Sequence, residues 1–318
     1  MKKKGVCIIM TDRCNAKCQI CCFSCSPENN NVINETLMLR IIDQAREQKG
    51  VNYIGFSGGE PFLYYDLLKK GLIYAKKSGF HTSVATNGFW GKWTDDVLND
   101  RLKELPIDEM TISADCYHQQ YIPENDLKRA INTARTSKIN LKVGIGETKS
   151  GISSGSFFAG LDSYKYLMLF YTYSFVRAGR ARELPDGDFY RYTDSSNIRC
   201  NSMGLVCVRY DGEVFPCCEQ IVFETGLSMG NINDRTLPEI LSDPHNRDLF
   251  SFLESKEGLN SIVKIAEEKF GFQRQSMCSD GCEICHALFK NCEAVEQLRP
   301  YIEDEYGKLA VSKLLNRL

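Results

Sequence analysis

The sequence predicts an α/β fold: a parallel sheet in the first part of the chain, followed by a smaller cysteine-rich α+β unit. Three observations carry that prediction. From residue 5 to about residue 176, short apolar runs alternate with longer segments of helical period, the pattern of repeated βα units. The apolar content of 43% over 318 residues is enough for one large core, or for one α/β domain with a smaller companion. After Arg191 the alternation stops and cysteines return, which places a boundary between units 1–190 and 191–318.

Taken in order, the predicted strands are 6–10, 53–57, 82–86, 110–113, 141–145 and 174–176. Segments 35–48, 66–77, 95–105 and 127–137 carry apolar residues at three-to-four spacing with charges between, as amphipathic helices do. Asn34 and Thr94 supply cap chemistry at two helix starts. Residues 150–160 are rich in Ser and Gly and read as a loop. The aromatic run 164–175 reads as a short helix leading into the sixth strand. In the second unit, Tyr210-Asp211-Gly212-Glu213 is a hairpin turn whose second strand ends in Pro216-Cys217-Cys218. Helices follow at 236–241, 245–253 and 261–270, then Cys278, Cys282, Cys285 and Cys292, then a last helix at 303–315. There is no internal repeat.

The net charge of −2 gives no field for nucleic acid or an anionic membrane, and Lys2-Lys3-Lys4 is a short solvated start. No apolar run reaches membrane-span length and no signal peptide fits before Asp12, so the expected location is cytoplasmic. In a reducing compartment, fifteen cysteines argue for metal or redox use over a disulfide framework. Four histidines are too few for an imidazole-rich metal centre.

The chemistry starts at residues 12–25, DRCNAKCQICCFSC. Cys14, Cys18 and Cys21 stand three and then two residues apart after the first strand, and three such thiolates hold three irons of a four-iron cluster. The fourth iron stays open for a small molecule. Zinc is the alternative, although zinc knuckles usually pair two C-x-x-C-like units; Cys22 and Cys25 read as packing or near-cluster thiols. Followed by Gly58-Gly59-Glu60-Pro61, this spacing resembles the radical S-adenosylmethionine (SAM) enzymes. The resemblance implies a partial (β/α)6 TIM-like barrel, a radical SAM [4Fe-4S] cluster, and S-adenosyl-L-methionine chelated to its open iron. One electron then releases a 5′-deoxyadenosyl radical, which the protein aims at one substrate hydrogen. By the same resemblance Gly58, Gly59, Glu60 and Pro61 meet the methionyl ammonium, Asn87, Ser113 and Asp115 bind the ribose and methionyl portions, and Gly144 approaches the adenine. Ile20 stands where the family often has an aromatic residue over the adenine, and Gly179-Arg180-Ala181 resembles a motif of relatives with cluster-bearing C-terminal domains.

Cys200, eleven residues, Gly212, four residues and Cys217 resemble the opening of the SPASM-type extension. This implies one auxiliary [4Fe-4S] cluster on Cys200, Cys217, Cys282 and Cys285. Cys207, Cys278 and Cys292 are spares for a two-cluster arrangement, and a zinc ribbon is the alternative. Cys218 follows ligand Cys217 on a strand, so its side chain points the other way. A thiol facing a carbon radical can return a hydrogen atom from the opposite face and so invert the centre; a buried packing thiol is the alternative. Together with Asn87-Gly88-Phe89-Trp90-Gly91, Asp115-Cys116-Tyr117-His118 and Phe223-Glu224-Thr225, these motifs resemble the SPASM-type peptide epimerases, which make D-residues in ribosomal peptides. The resemblance implies Cys218 as hydrogen donor, a ribosomally made precursor peptide as substrate, and a flavodoxin- or ferredoxin-type electron donor. A maturase forming a thioether or carbon–carbon cross-link, and a non-catalytic iron–sulfur or zinc protein, are the other readings.

Overall fold

The computed structural model of the chain describes residues 4–151, 169–200 and 204–315. Six strands, β1 (Gly5–Ile9), β2 (Tyr53–Ser57), β3 (His81–Thr86), β4 (Glu109–Ser113), β5 (Asn140–Glu147) and β6 (Leu169–Ser174), pair consecutively and in parallel. Parallel neighbours need crossovers, and helices α1 (Glu35–Glu47), α2 (Tyr65–Lys77), α3 (Asp95–Lys103), α4 (Cys116–Gln119) and α5 (Glu124–Thr136) lie in them. The fold is the expected partial (β/α)6 barrel.

Side chains alternate across each strand, which separates two interiors. Val6 and Ile8 of β1 and Ile54 and Phe56 of β2 face outward and pack with Leu37, Met38, Ile41 and Ile42 of α1 in the main core. Cys7 and Ile9 take the other face, inside the barrel, in a separate apolar cluster. Burial on both faces is why β1 reads as an unbroken apolar run.

The sixth strand differs from expectation. It runs over Leu169–Ser174 instead of 174–176, because six residues of β5, Lys142 to Glu147, pair with it and draw the aromatic run into the sheet. The short helix expected at the start of 164–175 lies outside the described residues, as do Lys2, Lys3 and residues 152–160 of the expected loop. Asn34 caps α1 by accepting from the Leu37 N–H, whereas Thr94 is extended but makes no side-chain cap bond.

The second unit begins with a two-residue strand, β7 (Thr193–Asp194), and the expected hairpin, β8 (Leu205–Arg209) and β9 (Glu213–Phe215), with Gly212 at φ +88° in its turn. Strand β8 also pairs in parallel with β1, setting Cys207 opposite Cys7. With β10 (Gly230–Asn231) the sheet therefore reads β10-β9-β8-β1-β2-β3-β4-β5-β6, while β11 (Met277–Cys278) pairs with β7. The hairpin thus joins the barrel wall. Helices α6 (Leu237–Ser242), α7 (Pro244–Leu253), α8 (Gly258–Phe270) and α9 (Gly281–Leu288) pack behind it, α6 opening with a capping box between Thr236 and Glu239. The last helix, α10 (Cys292–Leu315), starts well before the expected 303. Pro300 lies inside it, and burial of Val295, Leu298 and Ile302 carries the helix past that residue. Among the described residues no helix is long and apolar enough to cross a membrane.

Candidate active site

At the C-terminal ends of the barrel strands, the loop after β1 folds over the barrel mouth and borders a part-open cavity of about 180 Å³. Cys14, Cys18 and Cys21 line it, together with Gly58 and Gly59 after β2, Asn87 after β3 and Ser113 on β4. The glycines are there because the loop leaves no room for side chains. A Cβ on Gly59 would stand 2.0 Å from the Arg13 carbonyl oxygen, and one on Gly58, at φ +134°, 2.4 Å from that of Thr11. The Gly59 N–H donates to the Thr11 carbonyl at 2.7 Å and the Glu60 N–H to that of Arg13 at 2.9 Å. Gly58-Gly59-Glu60 therefore clamps the cysteine loop as well as facing the cavity.

Glu60 itself is fully buried behind the wall. Its Oε1 accepts from the Phe62 N–H at 3.1 Å and the Thr86 hydroxyl at 2.8 Å, and its Oε2 from the Asn87 N–H at 2.7 Å. Burial pushes this carboxyl up to about 7 against the pull of those three donors. The Asn87 amide, held by this bond, faces the Cys14 sulfur at 3.6 Å and the Asn15 side-chain oxygen at 2.9 Å. On the far side of the loop the Cys25 thiol and N–H both donate to Cys21, holding its thiol down to about 6, while burial raises Cys14 to about 12.

Of the other expected cofactor residues, Pro61 is buried in the turn after Glu60. Asp115 is buried and caps α4 through the Tyr117 and His118 N–H groups. Both Asp115 oxygens stand 2.8 Å from His118 Nδ1, and the other side of the ring meets Cys18. Burial opposes a charge on His118, yet Asp115 and Cys18 together hold its pKa well above the ordinary value. His118 lines the cavity, whereas Asp115 acts from behind it. Gly144 sits lower in the barrel under the Tyr171 ring, whose hydroxyl would be 2.8 Å from a Cβ there. The aromatic surfaces of the cavity come from Phe23, Tyr173 and Phe175 beside Ile20. Gly179, at φ +57°, lies against the Cys21 and Cys22 carbonyls, and the Arg180 guanidinium donates to the Cys18 and Cys25 carbonyls. The Gly-Arg-Ala motif thus grips the cysteine loop from the opposite side to the glycines.

A second, smaller cavity is lined by Cys200, Cys217, Cys282 and Cys285 with apolar Leu227, Phe250 and Leu259 around them. The spare cysteines lie elsewhere. Cys278 donates to the Thr193 carbonyl at 3.6 Å, Cys292 is exposed at the start of α10, and Cys207 is inside the barrel. Strand β9 stops at Phe215, earlier than expected, so Cys217 and Cys218 follow the strand instead of ending it. Their side chains still diverge. Cys217 lines the second cavity, while Cys218 packs against the barrel-interior cluster that holds Cys7 and Cys207. Phe23, part of the first cavity's wall, packs on the same cluster.

Residues 8–152 match the radical SAM superfamily model and residues 200–285 the SPASM model, an iron–sulfur cluster-binding domain. The chain carries a radical SAM domain followed by a SPASM domain. Over 97% of its length it is 27% identical to the "Putative peptide biosynthesis protein YydG" of Bacillus subtilis (strain 168), covering 99% of that protein. Its fold is similar to Streptococcus suis SuiB bound to S-adenosylmethionine, with TM-score 0.57 and 14% identity over 82% of this chain and 74% of that one. It is equally similar to native anSMEcpe with bound AdoMet, with TM-score 0.57 and 14% identity over 97% of this chain and 99% of that one. The two domains imply [4Fe-4S] clusters and SAM as cofactors. The residues present fit them: three thiols of one loop on an open cavity, and four thiols on a second, mainly apolar one.

Proposed function

We propose that this protein is a peptide epimerase that converts L- to D-residues in a ribosomally made precursor peptide. Cys14, Cys18 and Cys21 hold the radical SAM cluster, and Cys200, Cys217, Cys282 and Cys285 hold one auxiliary cluster. Bound there, the cluster and SAM would supply a carbon radical able to take one hydrogen atom from a substrate α-carbon, given electrons from a flavodoxin- or ferredoxin-type donor. The chain's part is to hold and shield. Gly58, Gly59 and Arg180 fix the cysteine loop from two sides, Asn87 and His118 face its sulfurs, and Ser113 offers a hydroxyl to the bound cofactor. Tyr173 and Phe175 keep water from the open side.

The observation that supports epimerisation is the divergence of Cys217 and Cys218, one toward the auxiliary site and one into the barrel. The Cys7 thiol beside it, and burial after that, push the Cys218 thiol well up, so it retains a hydrogen atom to return to the α-carbon from the other face. A peptide substrate is supported by the peptide-biosynthesis relative that matches the whole chain.

The test uses as substrate the product of any short open reading frame found beside this chain's gene, in heavy water. Unchanged product mass apart from one deuterium per inverted centre supports epimerisation. Loss of two hydrogens identifies a cross-linking maturase instead, with the auxiliary cluster as electron acceptor. A Cys218→Ala variant that still inverts its centre at full yield refutes the donor role.

A further inference from the structure

Three thiols gather inside the barrel, and only one of them is needed to donate hydrogen. Cys7 on β1 and Cys207 on β8 are register partners, and Cys218 packs against the same apolar cluster. Cys207 has no solvent exposure and Cys7 almost none. Ile9, Phe215 and Val222 surround them, and Tyr53, whose hydroxyl donates to Ser83, lies close by. A packing role explains one buried cysteine in such a place; it does not explain three gathered in one small cluster.

We infer that Cys7 and Cys207 are a hydrogen-atom relay that restores Cys218 after each turnover. The inference rests on Cys218 being the hydrogen donor. Once Cys218 has given its hydrogen atom to the substrate α-carbon it is a thiyl radical beside a product whose Cα–H bond it can attack again. Transfer from Cys7 breaks one S–H bond and forms another, leaving Cys218–SH and a radical on Cys7. A second exchange of the same kind leaves Cys7–SH and a radical on Cys207. One electron from the low-potential flavodoxin- or ferredoxin-class donor and one proton from solvent then regenerate the Cys207 thiol. Each exchange is near thermoneutral, and each moves the radical further from the product.

Cys7→Ser separates this role from a structural one. Serine fills nearly the same space beside Cys218, but its O–H bond is too strong to yield a hydrogen atom to a thiyl radical. With the holoenzyme and the same peptide substrate, Cys7→Ser should complete a first turnover, one inverted centre per enzyme, at the wild-type rate. Its steady-state rate should then fall by about tenfold or more. A spin trap added during turnover should label the Cys7 or Cys207 peptide in the wild type and only the Cys218 peptide in Cys7→Ser. A wild-type steady state in Cys7→Ser, loss of its first turnover, or wild-type labelling confined to Cys218 overturns the relay. Cys218→Ala distinguishes the two ideas: if it still inverts the centre, the donor reading fails first, and if it is dead while Cys7→Ser cycles normally, only the relay fails.

Discussion

Glu60→Gln tests how the buried carboxyl behind the cavity supports the site. In the wild type the Glu60 side chain accepts three hydrogen bonds, and its Oε2 holds the Asn87 N–H at 2.7 Å. Glutamine turns one oxygen into an NH2 group, so a donor faces either the Asn87 N–H or the other two donors. One buried donor loses its partner, at about 1 to 3 kcal/mol. The pH dependence carries the sharper prediction. Burial raises the Glu60 pKa from 4.5 to about 7. Between those values the unfolded chain gives up its proton while the folded chain keeps it, so the wild type loses stability as pH rises. At about 1.4 kcal/mol per unit, the loss approaches about 3 kcal/mol once pH passes 7. Glutamine has no such proton. The stability gap between wild type and variant should therefore be largest near pH 4.5, favouring the wild type, and shrink by about 3 kcal/mol on the way to pH 8. Urea unfolding of the cluster-free chain across that range measures it. A gap that stays constant or widens with pH refutes the account of Glu60.

Gly59→Ala puts a Cβ into the Arg13 carbonyl, which is backbone and cannot step aside, so the loop must move. Iron and sulfide bound at the first site should fall sharply, with a stability loss of about 2 kcal/mol or more. Arg180→Ala strips the Cys18 and Cys25 carbonyls of a charged donor, costing about 3 kcal/mol in urea unfolding; Arg180→Lys, which reaches fewer carbonyl groups, should lose less. Cys285→Ser should remove the auxiliary cluster's iron, while Cys292→Ser, exposed on α10, should leave the anaerobic iron count unchanged.

Five strands and four helices of the barrel were legible because their core faces repeat at periods that short segments can show. The sixth strand was not. In 164–175 aromatic and large aliphatic residues crowd both faces, so the period suits neither helix nor strand, and pairing with β5 decides the matter. The cysteine triplet was singled out by its spacing and the four auxiliary thiols by the resemblance to the SPASM opening, and the structure lines one cavity with each set. What holds them was not legible. Arg180 is far from Cys18 in sequence, and nothing local says that its guanidinium ends on loop carbonyls. His118 was visible as part of a motif, but its contact with Cys18 depends on α4 turning the ring inward.

The thiol cluster shows the same limit from another side. Cys7 and Cys207 each look like ordinary apolar strand residues, alternating with valine and isoleucine. Only the parallel pairing of β8 with β1 sets them opposite each other, and only the hairpin between β8 and β9 returns Cys218 to the same place. One register choice thus sends Cys217 to the auxiliary cavity and Cys218 to the barrel thiols. A slip of one residue in β8 would turn Cys207 outward toward the main core and break up the cluster of thiols. The register of β8 against β1 therefore couples the two units. The SPASM hairpin places an auxiliary-site cysteine, and by the same geometry it completes the interior of the radical SAM barrel.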